Sequence, residues 1–456
     1  MAIVLQLKNF SFAYPGGAKS ILQGVNLEVE AGRCYCLTGP TGSGKTTLAL
    51  ALKGLLDNDC CAGDIVYCGQ SEPSDFRVGL VLQNPETQLL ATTVGAEVAF
   101  GLENLCVDPQ VMPERVEAAL SLVGLRKSLD YPVARLSMGQ KYRLLVAALL
   151  VMKPQLLILD EPAAQLDPEG LAALQKTLAD LKSTGVSVVL CEHHPGPLHD
   201  LIDQFWQLDG DGRLTAGRWQ ASDQPFPSVS FGPVVAAGEA PDLLQVREMS
   251  FDGEGGRPVW EGASFDIRSG QRVIITGLNG TGKTTLLRVL AGFLKPSHGS
   301  VRIFDGAPSP QLLRGRVGCL FQNPHKQIFE NTVREEIAFP LKRLGWPAEQ
   351  RAARMEEALN LCGIEALADD SPHKLSYGQK HLVALASVLA PAPEMLLLDD
   401  PFAGLDGARQ QDVMQVLARW NREQGTTLLW TSHDPDRIPL LAEGHLHIEG
   451  GHIGWR

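Results

Sequence analysis

The sequence predicts an α/β protein built from two homologous domains in tandem. Its 456 residues, of which 44% are hydrophobic and 20% charged, are enough for two or three ordinary globular domains. Several short motifs recur at an offset of about 240 residues, and in each copy an apolar run leads through a glycine-rich loop into a helical pattern. We therefore expect domains at 1–221 and 243–456, joined by an extended, proline-rich linker at 222–242.

Composition narrows the classes of function. The formal net charge of −12 argues against broad nucleic-acid binding, which needs a basic face. The longest apolar stretch, 144–159, is interrupted by Lys153 and Pro154 and is too short for a membrane-spanning helix. The N-terminal residues do not resemble a secretory signal, which favours a cytoplasmic protein. The nine cysteines lack paired C-x-x-C spacing, so reduced thiols are favoured over a zinc site.

Five motifs keep the register of the repeat. The first-half motifs and their second-half counterparts are Gly39–Thr46 and Gly277–Thr284, Gln83–Pro85 and Gln322–Pro324, Leu136–Lys141 and Leu375–Lys380, Leu157–Pro162 and Leu396–Pro401, and His193 and His433. Such regular repetition indicates that the two halves are homologous domains.

The order of elements follows from the apolar pattern. The runs at 34–38 and 272–276 predict buried strands that feed a helix through the glycine-rich loop, and the run ending at Asp160 predicts another buried strand. Between 93 and 135, and again between 332 and 374, helical spacing dominates. We expect each of these segments to form a helical subdomain inserted into the α/β core.

The glycine-rich loops match the P-loop pattern G-x-x-x-x-G-K-[ST]. Their glycines let backbone N–H groups close around phosphate oxygens at the start of a helix, where the helix field favours anions. Lys45 and Lys283 are expected to contact the β- and γ-phosphates, and the hydroxyls of Thr46 and Thr284 to bind Mg²⁺. The predicted phosphate-binding residues are Gly39, Pro40, Thr41, Gly42, Ser43, Gly44, Lys45, Thr46 and Thr47, and Gly277, Leu278, Asn279, Gly280, Thr281, Gly282, Lys283, Thr284 and Thr285.

Acidic residues close the second apolar strand of each half. Asp160 and Asp399 are placed to hold the hydration shell of Mg²⁺, with a helix N-cap as the alternative role. Glu161 follows directly and is suited to polarise a water molecule in line with the γ-phosphate. The second half has Asp400 at this position, and its side chain is one methylene shorter. We therefore expect faster ATP turnover where Glu161 acts.

The Leu-Ser-x-Gly-Gln segments discriminate among P-loop proteins, since few classes carry them. Ser137 and Ser376 each precede a long apolar-periodic helix, so the hydroxyl, the glycine backbone and the helix end form an anion site. A plain helix cap is the alternative interpretation. The candidate nucleotide-binding residues are Ser137, Gly139, Gln140, Ser376, Gly378 and Gln379.

The order of these motifs resembles the ABC ATPase family over nearly the whole chain, twice. The resemblance implies a P-loop NTPase fold in each half, with a RecA-like core, an antiparallel β subdomain and a helical subdomain. It implies ATP and Mg²⁺ as ligands, Gln83 and Gln322 beside the metal, His193 and His433 as switch histidines contacting the γ-phosphate, and Tyr14 stacking on adenine. It also implies composite sites in an intramolecular pseudo-dimer, in which the first P-loop faces Ser376 and Gly378 while the second faces Ser137 and Gly139.

Some residues depart from the family pattern. The usual second glycine of the Leu-Ser-x-Gly-Gln segment is Met138 in one half and Tyr377 in the other, which bears on how tightly the sites close. Glu161 and Asp400, with the two switch histidines, are the candidate catalytic residues. The histidines at 445, 447 and 452 are interpreted as part of a surface hairpin rather than a metal site, because residues 206–217 predict a strand, turn and strand in the same place.

The segments 83–100 and 322–339 further resemble the ATPases of energy-coupling factor importers. That resemblance implies a motor for uptake of a vitamin or a transition-metal ion. It implies a transmembrane coupling subunit and a substrate-binding membrane subunit as partners, with peripheral attachment at the cytoplasmic face. The alternative is a soluble ABC ATPase acting on ribosomes, which normally has a charged helical linker rather than the proline-rich one at 222–242.

Overall fold

The computed structural model describes residues 2–15, 20–40, 42–67, 78–166, 168–192, 195–217, 231, 241–253, 255–256, 258–278, 280–405, 407–432 and 442–456. The chain divides into two compact units, Met1–Ser222 and Asp223–Arg456, called here the first and second halves. The predicted linker lies outside the described residues except for Phe231, Pro241 and Asp242.

The first half alternates strands and helices in chain order. Its strands are β1 Ile3–Phe12, β2 Leu22–Glu30, β3 Cys34–Thr38, β4 Cys61–Tyr67, β5 Val78–Val81, β6 Leu156–Asp160, β7 Ser187–Cys191, β8 Gln204–Leu208 and β9 Leu214–Gly217. Its helices are α1 Lys45–Lys53, α2 Val94–Asn104, α3 Met112–Leu122, α4 Met138–Leu150, α5 Pro162–Gln165 and α6 Pro168–Ser183.

The second half repeats this pattern. Its strands are β10 Asp242–Asp252, β11 Pro258–Arg268, β12 Arg272–Gly277, β13 His298–Ile303, β14 Val317–Leu320, β15 Met395–Leu398, β16 Thr427–Thr431, β17 Gly444–Glu449 and β18 His452–Trp455. Its helices are α7 Lys283–Leu290, α8 Pro310–Leu313, α9 Val333–Arg343, α10 Ala348–Cys362, α11 Tyr377–Leu389 and α12 Gly407–Gln424.

The described residues of each half form two sheets. The core sheet of the first half has the order β5-β6-β7-β3-β8-β9, with β9 antiparallel and the other neighbours parallel. Every residue of β3, β6 and β7 is buried, as expected for parallel strands covered on both faces. The order β14-β15-β16-β12-β17-β18 repeats this sheet in the second half, and the antiparallel sheets β2-β1-β4 and β11-β10-β13 form the second layer.

The segments predicted to be helical pack as a separate layer. In α2 the buried side chains recur at Val94, Val98 and Leu102, which places them on the face that packs against α4. The predicted fold class, with a parallel core, an antiparallel β subdomain and a helical subdomain in each half, is confirmed. The predicted hairpin at the C-terminus is also confirmed, since β17 and β18 pair antiparallel.

Candidate nucleotide sites

The loop between β3 and α1 has a backbone that glycine alone adopts easily. Gly39 has φ of +152°, and a Cβ there would lie 2.3 Å from the carbonyl oxygen of Leu208. Gly277 in the second half has φ of +150°, with 2.5 Å to the carbonyl oxygen of Ile448. Both positions therefore require glycine, because the backbone is at positive φ and a Cβ would collide with a carbonyl oxygen of the neighbouring strand.

The lysine of each loop is folded back over the loop itself. The Nζ atom of Lys45 donates to the carbonyl oxygens of Gly39 and Pro40 at 2.9 and 3.0 Å. Lys283 makes the same pair of bonds, at 2.7 Å to Gly277 and 3.0 Å to the next residue. Both lysines are buried, and burial lowers the pKa of Lys283. In each half the lysine ammonium is thus held against the backbone of its own loop.

A threonine hydroxyl meets a carboxylate beside each lysine. Thr46 Oγ1 donates to Asp160 Oδ2 at 2.8 Å, and Thr284 Oγ1 lies 2.9 and 3.0 Å from the two carboxylate oxygens of Asp399. Asp160 is the last residue of β6, whereas Asp399 follows one residue after β15 ends. Hydroxyl and carboxylate oxygens are the ligands that Mg²⁺ prefers, so these residues fit that ion.

The first loop also has an unsatisfied buried hydroxyl. Among the described residues, Ser43 Oγ is buried without a hydrogen-bond partner. A buried polar atom of this kind costs free energy until a ligand satisfies it. Its place in the loop is therefore suited to a phosphate oxygen.

The two candidate catalytic carboxylates share an unusual backbone conformation. Glu161 and Asp400 both have φ of +49°, in the left-handed region that non-glycine residues rarely adopt and that often marks functional sites. Gln83 Nε2 donates to Glu161 Oε2 at 2.6 Å, which joins two predicted site residues that are far apart in sequence. In the second half, the backbone N–H of Asp400 donates to Thr431 Oγ1 at 2.8 Å.

The Leu-Ser-x-Gly-Gln segments begin α4 and α11 as predicted. Ser137 Oγ accepts from the backbone N–H of Gln140 at 3.3 Å, and the Gln140 side chain accepts from the Ser137 N–H at 3.2 Å. Ser376 and Gln379 form the same capping box. The described contacts of both glutamines thus stabilise their own helix start, which is the helix-cap role left open above.

Tyr14 lies close to the first loop. Its hydroxyl is 3.3 Å from Thr47 Oγ1, and its ring packs edge-on against Phe12 with 4.9 Å between centroids. The side chain is 46% exposed, so part of the ring is accessible to a ligand.

Four predicted site residues, Thr41, His193, Asn279 and His433, lie outside the described residues. Gly277 is the last residue of β12, and the remaining loop residues occupy the β3–α1 and β12–α7 connections or the first turn of the helix that follows. Gln322 follows β14.

The sequence did not predict several contacts of residues 83–88 and 322–327, called here the glutamine segments. Gln88 accepts from the Leu82 N–H at 2.7 Å and donates to the Leu80 carbonyl at 3.0 Å, so its side chain clamps the segment that carries Gln83. Gln327 makes the equivalent contacts in the second half. The recurrence of these glutamines at the same register was the available signal.

The helix after each Ser-x-Gly-Gln segment is linked to the glutamine segment by different chemistry in the two halves. Lys141 on α4 forms an ion pair with Glu86 at 2.7 Å. In the second half the hydroxyl of Tyr377 donates to the carbonyl of Gln322 at 3.1 Å. Tyr377, which departs from the expected glycine, therefore has a specific contact of its own.

Another residue missed from the sequence is Glu192, directly after β7. It is buried, and burial raises its pKa to about 8, supported by the negative charges of Glu161 and Asp160. Its carboxyl oxygen accepts from the backbone N–H of Ala163 at 2.8 Å. Its counterpart in the repeat is Ser432, so the repeat gave no hint of a carboxylate here.

Comparison with known proteins identifies the family. Residues 22–164 and 260–403 match the ABC transporter family, and together they make up more than half of the chain. The chain belongs to the ABC transporter ATPases and carries two ABC domains in tandem. It is thus an ABC ATP-binding subunit.

Its relatives include bacterial and archaeal proteins with provisional names. It is 32% identical to an ABC transporter ATP-binding protein of Bifidobacterium longum, over 96% of this chain but 64% of the relative's length, which is less than two thirds. It is 30% identical to an ABC transporter ATP-binding protein of Methanosarcina acetivorans, over 99% of this chain and 84% of the relative. It is 31% identical to a Bacillus subtilis protein named an HMP/thiamine import ATP-binding protein, over 97% and 89%. The solved structure of cbiO1 from Clostridium perfringens, part of the ABC transporter complex cbiONQ, is 33% identical with a TM-score of 0.44, over 47% of this chain and 87% of that one.

Proposed function

We propose that this chain is the ATP-hydrolysing motor subunit of an ABC importer of the energy-coupling factor type. The observation that carries the proposal is a lysine-bearing loop beside a hydroxyl–carboxylate pair, present in both halves. In the first half the groups are Lys45, Thr46 and Asp160, with Thr46 bonded to Asp160 at 2.8 Å. A cation and paired hard oxygens are the groups that hold a triphosphate with Mg²⁺.

In this proposal Glu161 polarises the attacking water in the first half. The Gln83 amide donates to one of its carboxylate oxygens and so fixes its orientation. The ammonium of Lys45, held by two loop carbonyls, contacts the β- and γ-phosphates. Mg²⁺ held by Thr46 and Asp160 would neutralise charge on the phosphates. In the second half Asp400 takes the place of the glutamate.

Exposed apolar side chains after the glutamine segments support docking of a partner. Leu90 is 69% exposed, and Phe100 on α2 is also exposed. At the matching positions of the second half, exposed Phe329 packs edge-on against Phe339 on α9 with 4.7 Å between centroids. Large exposed apolar groups at equivalent places in both halves are typical of an interaction surface.

Leu90 and Phe329 each lie in a loop that a buried glutamate holds in place. Glu97 on α2 accepts from the N–H groups of Leu90 and Ala91 at 2.9 and 2.7 Å. Glu336 on α9 accepts from the N–H of Phe329 at 2.9 Å and from the next residue at 2.8 Å. A surface preorganised in this way loses little conformational entropy on binding.

The partner we propose is a transmembrane coupling subunit, which in turn contacts a substrate-binding membrane subunit. No helix within the described part of the chain is long and apolar enough to cross a membrane. Attachment would then be peripheral, at the cytoplasmic face. The provisional name of the Bacillus subtilis relative supports a solute of the vitamin class, with a transition-metal ion as the other class proposed.

The test combines ATP hydrolysis with recovery of the partner. Wild-type chain is expected to hydrolyse ATP and to co-purify with a detergent-solubilised, multi-span membrane protein identified by mass spectrometry. Leu90→Asp is expected to abolish recovery of that protein and to leave the hydrolysis rate of the isolated chain unchanged. The matched control Leu122→Asp, at another exposed leucine, is expected to change neither. Recovery of ribosomal proteins instead would contradict the importer proposal.

A further inference from the structure

Glu192 places a third carboxyl group near those of Asp160 and Glu161 in the first half. It follows β7 directly, and its side chain is buried. Its backbone N–H donates to the carbonyl of Leu37 on β3 at 3.0 Å, and its carboxyl accepts from the N–H of Ala163 at 2.8 Å. One residue thus connects two core strands to the turn that follows Glu161.

The backbone of that turn is strained, so hydrogen bonds are needed to hold it in place. Glu161 occupies the left-handed region, and its own N–H donates to the carbonyl of Cys191 at 2.9 Å. The bond from Ala163 to Glu192 is the next attachment along the turn. Two attachments on either side of Pro162 hold both ends of the segment that presents the catalytic carboxylate.

In the second half a different hydrogen bond holds the equivalent turn. Asp400 has the same φ of +49°, and its N–H donates to the side-chain hydroxyl of Thr431 at 2.8 Å. Thr431 and Ser432 stand where the first half has Cys191 and Glu192. The same backbone conformation is therefore held by a different side chain in each half, the carboxyl of Glu192 in the first and the hydroxyl of Thr431 in the second.

The surroundings of Glu192 are compatible with a neutral carboxyl. Burial is the main cause that raises its pKa to about 8, and the charges of Glu161 and Asp160 raise it further, while the Ala163 N–H and Lys45 lower it. Within the described part of the chain, the buried Tyr142, Cys191 and Cys36 also interact with it, and burial raises their own pKa values. A neutral carboxyl accepts the Ala163 bond without repelling the two carboxylates.

We propose that Glu192 is a positioning residue for ATP hydrolysis in the first half. Its hydrogen bond to Ala163 holds the turn, so that Glu161 keeps both its hydrogen bond to Gln83 and its orientation toward the attacking water. The inference rests on the proposed function, in which Glu161 polarises that water. A displacement of about 1 Å at a catalytic group can lower a rate about a hundredfold, so the attachment has a measurable consequence.

The experiment compares Glu192→Ala with Glu192→Gln in the full chain, with Asp400→Asn in both to silence the second half. Glu192→Ala is expected to lower kcat at least about tenfold and to leave KM for ATP within about twofold. Glu192→Gln, whose amide oxygen accepts the same bond, is expected to keep most of the activity. An Ala variant as active as its parent, or a Gln variant as impaired as the Ala variant, would overturn the proposal.

Two further variants separate positioning from general damage. Glu161→Gln combined with Glu192→Ala is expected to be no slower than Glu161→Gln alone, because both changes act on one step. Ser432→Ala, at the matching position of the second half, is expected to leave the first-half rate unchanged. If Glu161→Gln hydrolyses ATP at the parental rate, the proposed catalytic role itself fails. If Glu161→Gln is slow but Glu192→Ala is fast, this inference alone fails.

Discussion

Replacing Glu161 by glutamine is expected to cost far more activity than replacing Asp400 by asparagine. Both residues follow a buried strand and share φ of +49°, so their Cα atoms occupy equivalent places in the two halves. The aspartate side chain is one methylene shorter, which withdraws its carboxylate by roughly the length of one C–C bond. A misplacement of about 1 Å can reduce a rate about a hundredfold, and we expect the first half to be faster by about that factor.

The assay is phosphate release by the full chain at saturating ATP, followed by single-turnover measurements. Glu161→Gln is expected to lower the rate about a hundredfold, to the level set by the second half, and Asp400→Asn to change it less than about twofold. Binding of ATP to both variants is the control, because neither side chain belongs to the phosphate loops. Equal losses in the two variants would refute the reasoning from side-chain length.

Two predictions concern stability of the second half. Arg272 and Glu443 form a buried ion pair at 2.5 Å; Glu443→Leu is expected to lower the unfolding free energy by about 3–5 kcal/mol, and adding Arg272→Met to restore most of it, as measured by urea unfolding. A double variant no more stable than Glu443→Leu would contradict this. His381 is fully buried, and burial lowers its pKa to about 4, below the usual 6.5 of the unfolded chain. Between these values the unfolded chain binds more protons, so acidification from pH 7 to 5 is expected to remove about 2 kcal/mol of stability, a loss that His381→Gln abolishes. Hydrogen exchange of α11 checks this, and equal pH dependence in the two proteins would contradict it.

The parts of the fold that were predictable from sequence are those specified by local patterns. β3 spans Cys34–Thr38 as predicted, because an unbroken apolar run ends where the first loop glycine begins. The capping boxes at Ser137 and Ser376 were predictable for the same reason, since serine and glutamine three residues apart satisfy each other within one helical turn.

The contacts that escaped prediction join residues distant in sequence. Ala163 and Glu192 are 29 residues apart and meet because β6 and β7 are neighbours in the sheet. His447 was correctly expected in a hairpin, but its bond to Thr276 Oγ1 at 2.8 Å depends on the parallel register of β12 and β17. Apolar periodicity predicts strands but not their register, so such contacts have no signature in the sequence.

The two halves differ around the turn that presents the proposed catalytic carboxylate. The loop lysine bonds to the corresponding carbonyls in both halves, and the threonine after it bonds to the aspartate in both. The positions that differ at and near the turn include Glu161 and Asp400, Ala163 and Phe402, Cys191 and Thr431, Glu192 and Ser432, and Tyr142 and His381. The attachments of the turn have thus changed together with the carboxylate. Asp400→Glu alone is then expected to raise the hydrolysis rate of the second half only part of the way to that of the first half. The longer side chain would stand on a backbone held by different hydrogen bonds, so its carboxylate would not take the orientation of Glu161.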